Sequence, residues 1–344
     1  MQSLIWSPLA WFAVMSGLGG SVPQQPHAFQ VPSEQSTLKT NQSLIALKTK
    51  ASPTVSGCPV FPADNIWNAR VDGLPVDSRS RAYIDSMGRN THLHPDFGSG
   101  KWNGGPIGIP FNVVSGTQPK VKVKFTYATE SDSGPYPIPT SPLIEGGPKS
   151  SGDRHVLLLD QDNCKLYELW KAYPQLSGTW KAGSGAIFDL NSNALRRAGW
   201  TSADAAGLPI FPGLVRYAEV SAGEIAHAIR FTASVTQRKY VWPARHYASS
   251  NTNLKVPPMG QRFRLKASFD ISPYPRQVQV LLIAMKKYGL ILADNGSDWY
   301  ISGIPDSRWN NDVLVSSFNS ITGDAFEAVD VSQLMIDSNS GATR

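Results

Sequence analysis

Charged residues are scarce in this chain: Asp, Glu, Lys and Arg make up 17% of its 344 residues, against roughly 25% in an average soluble protein. Long solvated helices, which carry such residues on their outer faces, are therefore not its main element. Cysteine is nearly absent. Neither Cys58 nor Cys164 has a second Cys or a His at zinc-ligand spacing, which argues against a thiolate metal site. There is no phosphate loop, no dinucleotide fingerprint and no H-E-x-x-H. Gly183-Ser184-Gly185 lacks the G-x-S-x-G spacing, so nucleotide-dependent chemistry and an ordinary serine esterase are both disfavoured.

What the chain has in quantity is Gly (29), Pro (26), Tyr (11) and Trp (10), within 41% hydrophobic residues. That is enough for a sizeable core, and the balance favours short strands joined by turns. The net charge of +6 raises a polyanion as a partner, but the basic residues are scattered. The densest group, Lys120, Lys122 and Lys124, alternates with Val121, Val123 and Phe125, the pattern of a strand's wet face. Nucleic acid is accordingly not an expected partner.

Residues 1–28 hold an interrupted apolar stretch too short for a membrane span and read as a secretory segment, with Ala28 a small-residue cleavage position. No Lys or Arg precedes the apolar core, and an uncleaved anchor is the alternative. Residues 29–57 are rich in Ser, Thr, Gln and Lys without periodicity and read as a tether. One domain is expected over 58–344, secreted to the extracellular space or periplasm, with no stable membrane span once the signal is removed. In an oxidising compartment Cys58 and Cys164 are expected to form a disulfide closing a long loop, worth about 4 to 5 kcal/mol in chain entropy; two unpaired buried thiols are the alternative.

Strands are expected at 120–127, 155–159, 165–171, 186–190, 226–232, 239–242, 262–267, 290–293 and 299–302, from alternation or short apolar runs. The turn Asp160-Gln-Asp-Asn-Cys joins two of them into a hairpin holding Cys164. Val278, Leu281, Leu282, Met285 and Tyr288 recur at helical spacing before Gly289, marking a docked amphipathic helix. Shorter helical pieces are expected near 202–206 and 332–336. The fold class expected is mostly β, a β-sandwich-like single domain of jelly-roll type with long loops and that one docked helix.

Several polar clusters point to chemistry. His155 opens an apolar run behind Asp153, which shares its parity and can orient it. Arg245, His246 and Tyr247 follow the break at Pro243 and combine an anion holder, a proton carrier and a hydroxyl. Glycoside hydrolysis needs two carboxylates. Glu168 is the preferred one because Trp170 shares its strand face; Asp189, Asp270 and Asp294 are further candidates, and Trp242 is a second aromatic for substrate. His92, His94 and Asp96 share one parity, so an extended chain turns them to one side, where a divalent metal is the cofactor they would take. For each group a purely structural role is the competing reading.

The segments Thr91-His-Leu-His-Pro-Asp-Phe-Gly-Ser-Gly, Gly152-Asp-Arg-His, Gly199-Trp-Thr-Ser-Ala-Asp-Ala-Ala-Gly-Leu-Pro and Trp242-Pro-Ala-Arg-His-Tyr-Ala-Ser resemble those of secreted bacterial proteins without an assigned activity. The resemblance covers most of the chain after Cys58 and implies an exported bacterial origin, with no catalytic residues attached. Three functions stay open: a glycoside hydrolase or polysaccharide lyase acting on extracellular polysaccharide, a carbohydrate-binding or cell-surface module without chemistry, and a His-ligated metal-dependent oxidase or hydrolase.

Overall fold

Turn chemistry and apolar runs set the central hairpin. Val156–Asp160 and Lys165–Trp170 pair antiparallel, with Val156 opposite Leu169 and Asp160 opposite Lys165. The Asp160 carboxylate accepts from the N–H groups of Asp162 and Asn163 at 3.2 and 3.1 Å, which closes the turn. Cys164 in that turn is bonded to Cys58, with the two Cα atoms 5.3 Å apart. The computed structural model describes residues 51–344. The expected secretory segment lies outside the described residues, as does most of the expected tether. The tether's last part does not read as one, because Thr54–Val55 pairs with Cys58–Pro59 and order therefore begins before Cys58.

The hairpin belongs to a four-stranded sheet in the order 184–189, 165–170, 156–160, 111–114. Val156 to Asp160 are buried throughout, because the sheet is covered on both faces. Leu157, Leu159, Leu166 and Phe188 join the main core, while Val156, Leu158, Tyr167 and Leu169 pack with Tyr136, Ile138 and Trp180 in a second one. Opposite the first face stands a six-stranded sheet in the order 326–329, 262–265, 290–295, 229–233, 300–302, 94–96. Its Phe231, Phe263 and Leu292 share the main core with Leu157 and Leu166.

The domain is mostly β, with several sheets and few helices. Its sheets are mixed: 229–233 runs parallel to 290–295, 300–302 to 94–96, 111–114 to 156–160, and 180–182 to 123–125. An antiparallel jelly-roll lacks such pairs, which need longer crossovers. The expected helix forms over Arg276–Lys287 and buries Val278, Leu281, Leu282 and Met285, each worth about 1.5–3 kcal/mol. It ends at Gly289 (φ 69°), where a Cβ would fall 2.1 Å from the Phe263 carbonyl oxygen.

Helices at Ser80–Ser86, Tyr217–Ala222 and Asn311–Phe318 were not expected. The last is capped by Asn310, whose side chain accepts from the Val313 N–H. Residues 332–334 form a single 3-10 turn. The segment 239–242 makes only an isolated bridge, Tyr240 to Met259. Residues 202–206 are no helix: Ser202 Oγ donates to Leu208 O and accepts from the Asp204 N–H, drawing the chain into a tight loop.

Candidate active site

That loop is held between the two large sheets. Ser184 Oγ donates to Ser202 O at 2.6 Å and His155 Nε2 to Ala203 O at 3.1 Å from one sheet, while the Ala206 N–H donates to Ala293 O at 2.9 Å on the other. The result sets Asp204, fully buried, against Arg230 of the strand Ile229–Ala233. Arg230 sits in Ile-Arg-Phe-Thr-Ala, a strand buried end to end, so its guanidinium must find partners inside. It binds both Asp204 oxygens, donates to Ser302 Oγ at 2.5 Å, and lies 3.4 Å from Asp294 Oδ2. Burial opposes its charge, but Asp204 outweighs burial and holds its pKa above the ordinary value.

One cation thus faces two acids. The arginine fork takes both oxygens of Asp204, and Asp294, hydrogen-bonded to Asp204, is left to hold a proton. Burial, and then the negative charge of Asp204, push the Asp294 carboxyl up to about 8. Its side chain is 20% exposed, enough to reach a ligand.

Asp294 and Asp204 open into a cleft of about 350 Å³ whose lining includes Tyr127, Glu130, Asp153, Trp170 and His246. Trp170, at the end of its strand, stacks on Tyr127 with ring centroids 6.3 Å apart and donates Nε1–H to Asp153 at 2.9 Å. A Cβ on Gly183 would lie 2.1 Å from the Trp170 ring, so a glycine is required there to seat the indole. His246 donates from Nδ1 to Ala205 O at 2.7 Å, which leaves Nε2 facing Glu130 at 3.7 Å.

Of the residues singled out from the sequence, Asp153, Trp170, His246 and Asp294 meet in this cleft. Glu168 and His155 lie beneath it, fully buried. Glu168 accepts from the N–H groups of Ile210 and Phe211 at 2.9–3.0 Å, and burial pushes it up to about 7 against those bonds. His155 is oriented by Glu145 at 2.6 Å, not by Asp153. Burial disfavours its charge, yet Glu145 raises it to about 9, so its two nitrogens donate to Glu145 and Ala203 O. His155 thus holds a residue of the cleft lining, while Glu168 ties residues 210 and 211, which do not line it.

Arg245 fastens the C-terminal segment, donating to Arg196 O, Ser338 O and Asn339 Oδ1 at 2.6–2.8 Å. Tyr247 stacks against His246 and Tyr240 and is not part of the cleft lining. Trp242 donates to Ser340 O and lines a different cleft beside Arg262. His92 is bridged to Thr322, while His94 and Asp96 line another cleft again. Among the described residues no three His, Cys, Asp or Glu side chains are grouped to hold a metal ion, so the expected site at His92, His94 and Asp96 does not assemble.

Asp204, Arg230, Glu145 and Glu130 had not been singled out. The signal for Arg230 was a lone charge in an apolar strand; Asp204 and Glu145 sit in loops and carry no local mark. Among the described residues no helix is long and apolar enough to cross a membrane, and the disulfide is compatible with an oxidising extracellular compartment. No protein-family model matches the chain, nor does any curated protein or solved structure.

Proposed function

We propose that the protein is a secreted glycoside hydrolase acting on neutral extracellular polysaccharide, with Asp294 as its general acid. The observation that carries this reading is a carboxyl that keeps its proton near neutrality, set in a cleft walled by a stacked Trp170–Tyr127 pair. A sugar presents C–H faces to such a wall and a glycosidic oxygen to the acid. The Asp294 proton moves to the leaving oxygen as the C–O bond breaks. Water delivers its hydroxyl to the anomeric carbon and its proton to Glu130, the second carboxylate, beside which His246 stands. Asp204, Arg230 and His155 are positioning residues.

Charge favours a hydrolase over a uronate lyase. A lyase needs a cation against the uronate carboxylate, and Arg245, the group expected for that role, is committed to carbonyl oxygens and Asn339. The cleft lining instead carries Glu130 and Asp153 and no Lys or Arg, which disfavours an acidic polymer. The test is release of reducing ends from a panel of neutral and acidic polysaccharides, with Asp294→Asn as the control. Reducing ends are expected from a neutral polymer with the parent alone. Cleavage that produces an unsaturated uronate, or equal activity in Asp294→Asn, overturns the reading.

A further inference from the structure

A second cleft, of about 860 Å³, adjoins the first. Gly152 lines the second and Asp153 the first, so the exposed strip 151–153 is the rim between them. Beneath the rim the two are joined by charge: Glu145 lines the second cleft and binds His155, which in turn holds Ala203 of the first.

A tight hairpin carries the largest exposed side chain at the second cleft. Lys101–Trp102 pairs with Gly105–Pro106 across Asn103 and Gly104, both at positive φ (49° and 85°), the conformation that an Asn-Gly hairpin turn requires. A Cβ on Gly105 would fall 2.1 Å from the Gly146 carbonyl carbon, so the hairpin sits backbone to backbone on the residue after Glu145. Trp102 is thereby fixed at the cleft with 73% of its surface exposed.

On the strand His94–Asp96, His94 stacks on Tyr300 with centroids 4.1 Å apart. Asp96 follows on the same side two residues later. Asp96 accepts no hydrogen bond from another described residue, so its acceptors are open to a ligand's hydroxyls. With Glu145 neutralised by His155, and Lys149 also in the lining, the cleft offers no excess of cations for an acidic ligand.

We propose that this second cleft binds the continuation of the same neutral saccharide chain, with Trp102 as its outer stacking face and Asp96 as its hydroxyl acceptor. The proposal rests on the hydrolase reading. It makes the enzyme one that engages a polymer across the 151–153 rim rather than a short end.

The test is calorimetric titration with hexasaccharides and disaccharides of glucose, mannose and N-acetylglucosamine. Proteins carry Asp294→Asn to stop turnover; should that substitution unfold the chain, the unsubstituted protein is titrated above the Asp294 pKa instead. A hexasaccharide is expected to bind more tightly than its disaccharide, and Trp102→Ala to weaken the hexasaccharide about tenfold, the scale of one lost aromatic anchor, with the disaccharide unchanged. Trp170→Ala should weaken both lengths. Trp102→Ala protein that binds the hexasaccharide like its parent, while Trp170→Ala does not, overturns the second cleft and leaves the first standing. The reverse pattern supports the second cleft and removes the first. No binding of any of these sugars overturns both.

Discussion

Replacing Asp294 by Asn should make the protein more stable at neutral pH while removing its turnover. The folded chain holds this carboxyl at about 8 against an ordinary 3.8, through burial and the neighbouring Asp204. Below pH 3.8 both states carry the proton and the group costs nothing. As pH rises toward about 8 the unfolded chain ionises and the folded one does not, so stability falls by about 1.4 kcal/mol per pH unit. The upper bound at pH 7 is therefore about 4 kcal/mol, and 20% exposure of the side chain brings the expected gain to about 2–4 kcal/mol. Asparagine does not titrate, and its amide can still donate to Asp204 while its oxygen faces Arg230. Urea denaturation of parent and variant across pH 3.5 to 8 measures the difference directly. It should vanish at the acid end and grow with pH. A variant less stable than the parent by a constant margin would refute the reasoning, because Asp294 would then be a carboxylate stabilised by Arg230.

Glu168→Ala should cost about 2–4 kcal/mol in denaturant unfolding, since the Ile210 and Phe211 N–H groups lose their acceptor in a dry core; activity per folded molecule should be unchanged. His246→Ala should lower turnover by about two orders of magnitude with little change in melting temperature, because the half-buried ring gives up one bond to Ala205 O; a stability loss that accounts for the whole rate effect would assign it a structural role. Reducing the Cys58–Cys164 bond, which spans 106 positions, should lower unfolding free energy by about 4–5 kcal/mol, read from denaturation with and without reductant.

The fold was legible where one strand or helix carries its own periodicity. Leu166, Glu168 and Trp170 alternate as a strand face, and Val278 to Met285 mark the long helix. Phe326–Val329, His94–Asp96 and Phe111–Val114 were not recognised, because each is short and draws its order from a neighbouring strand rather than from its own pattern. Mixed topology is invisible for the same reason: pairing Ile229 with Leu290 depends on the helix that intervenes, not on either strand.

At the site, Trp170 and Asp294 were readable as an aromatic and a carboxylate on strands. Glu168 shared the Trp170 face, but that alternation could not distinguish a cleft wall from a fully buried position. Arg230 and Asp204 stand 26 positions apart and meet only through packing of the loop 202–206 between the sheets, while Arg230 and Asp294, 64 apart, meet because their strands pair in parallel. The density of polar groups at Arg245 to Tyr247 reflected a corner that ties down residues 338 and 339, with His246 alone reaching the cleft.

The central claim is that Asp294 donates the proton in glycoside cleavage. Its most direct test is kcat/KM for reducing-end release from a neutral polysaccharide, measured against pH for the parent and for Asp294→Asn. The parent should hold its rate through neutrality and lose it as pH passes about 8, where Asp294 gives up its proton, and below that pH the variant should be slower by about two to four orders of magnitude, the gap closing above it. A folded Asp294→Asn protein that matches the parent's rate and profile would contradict it.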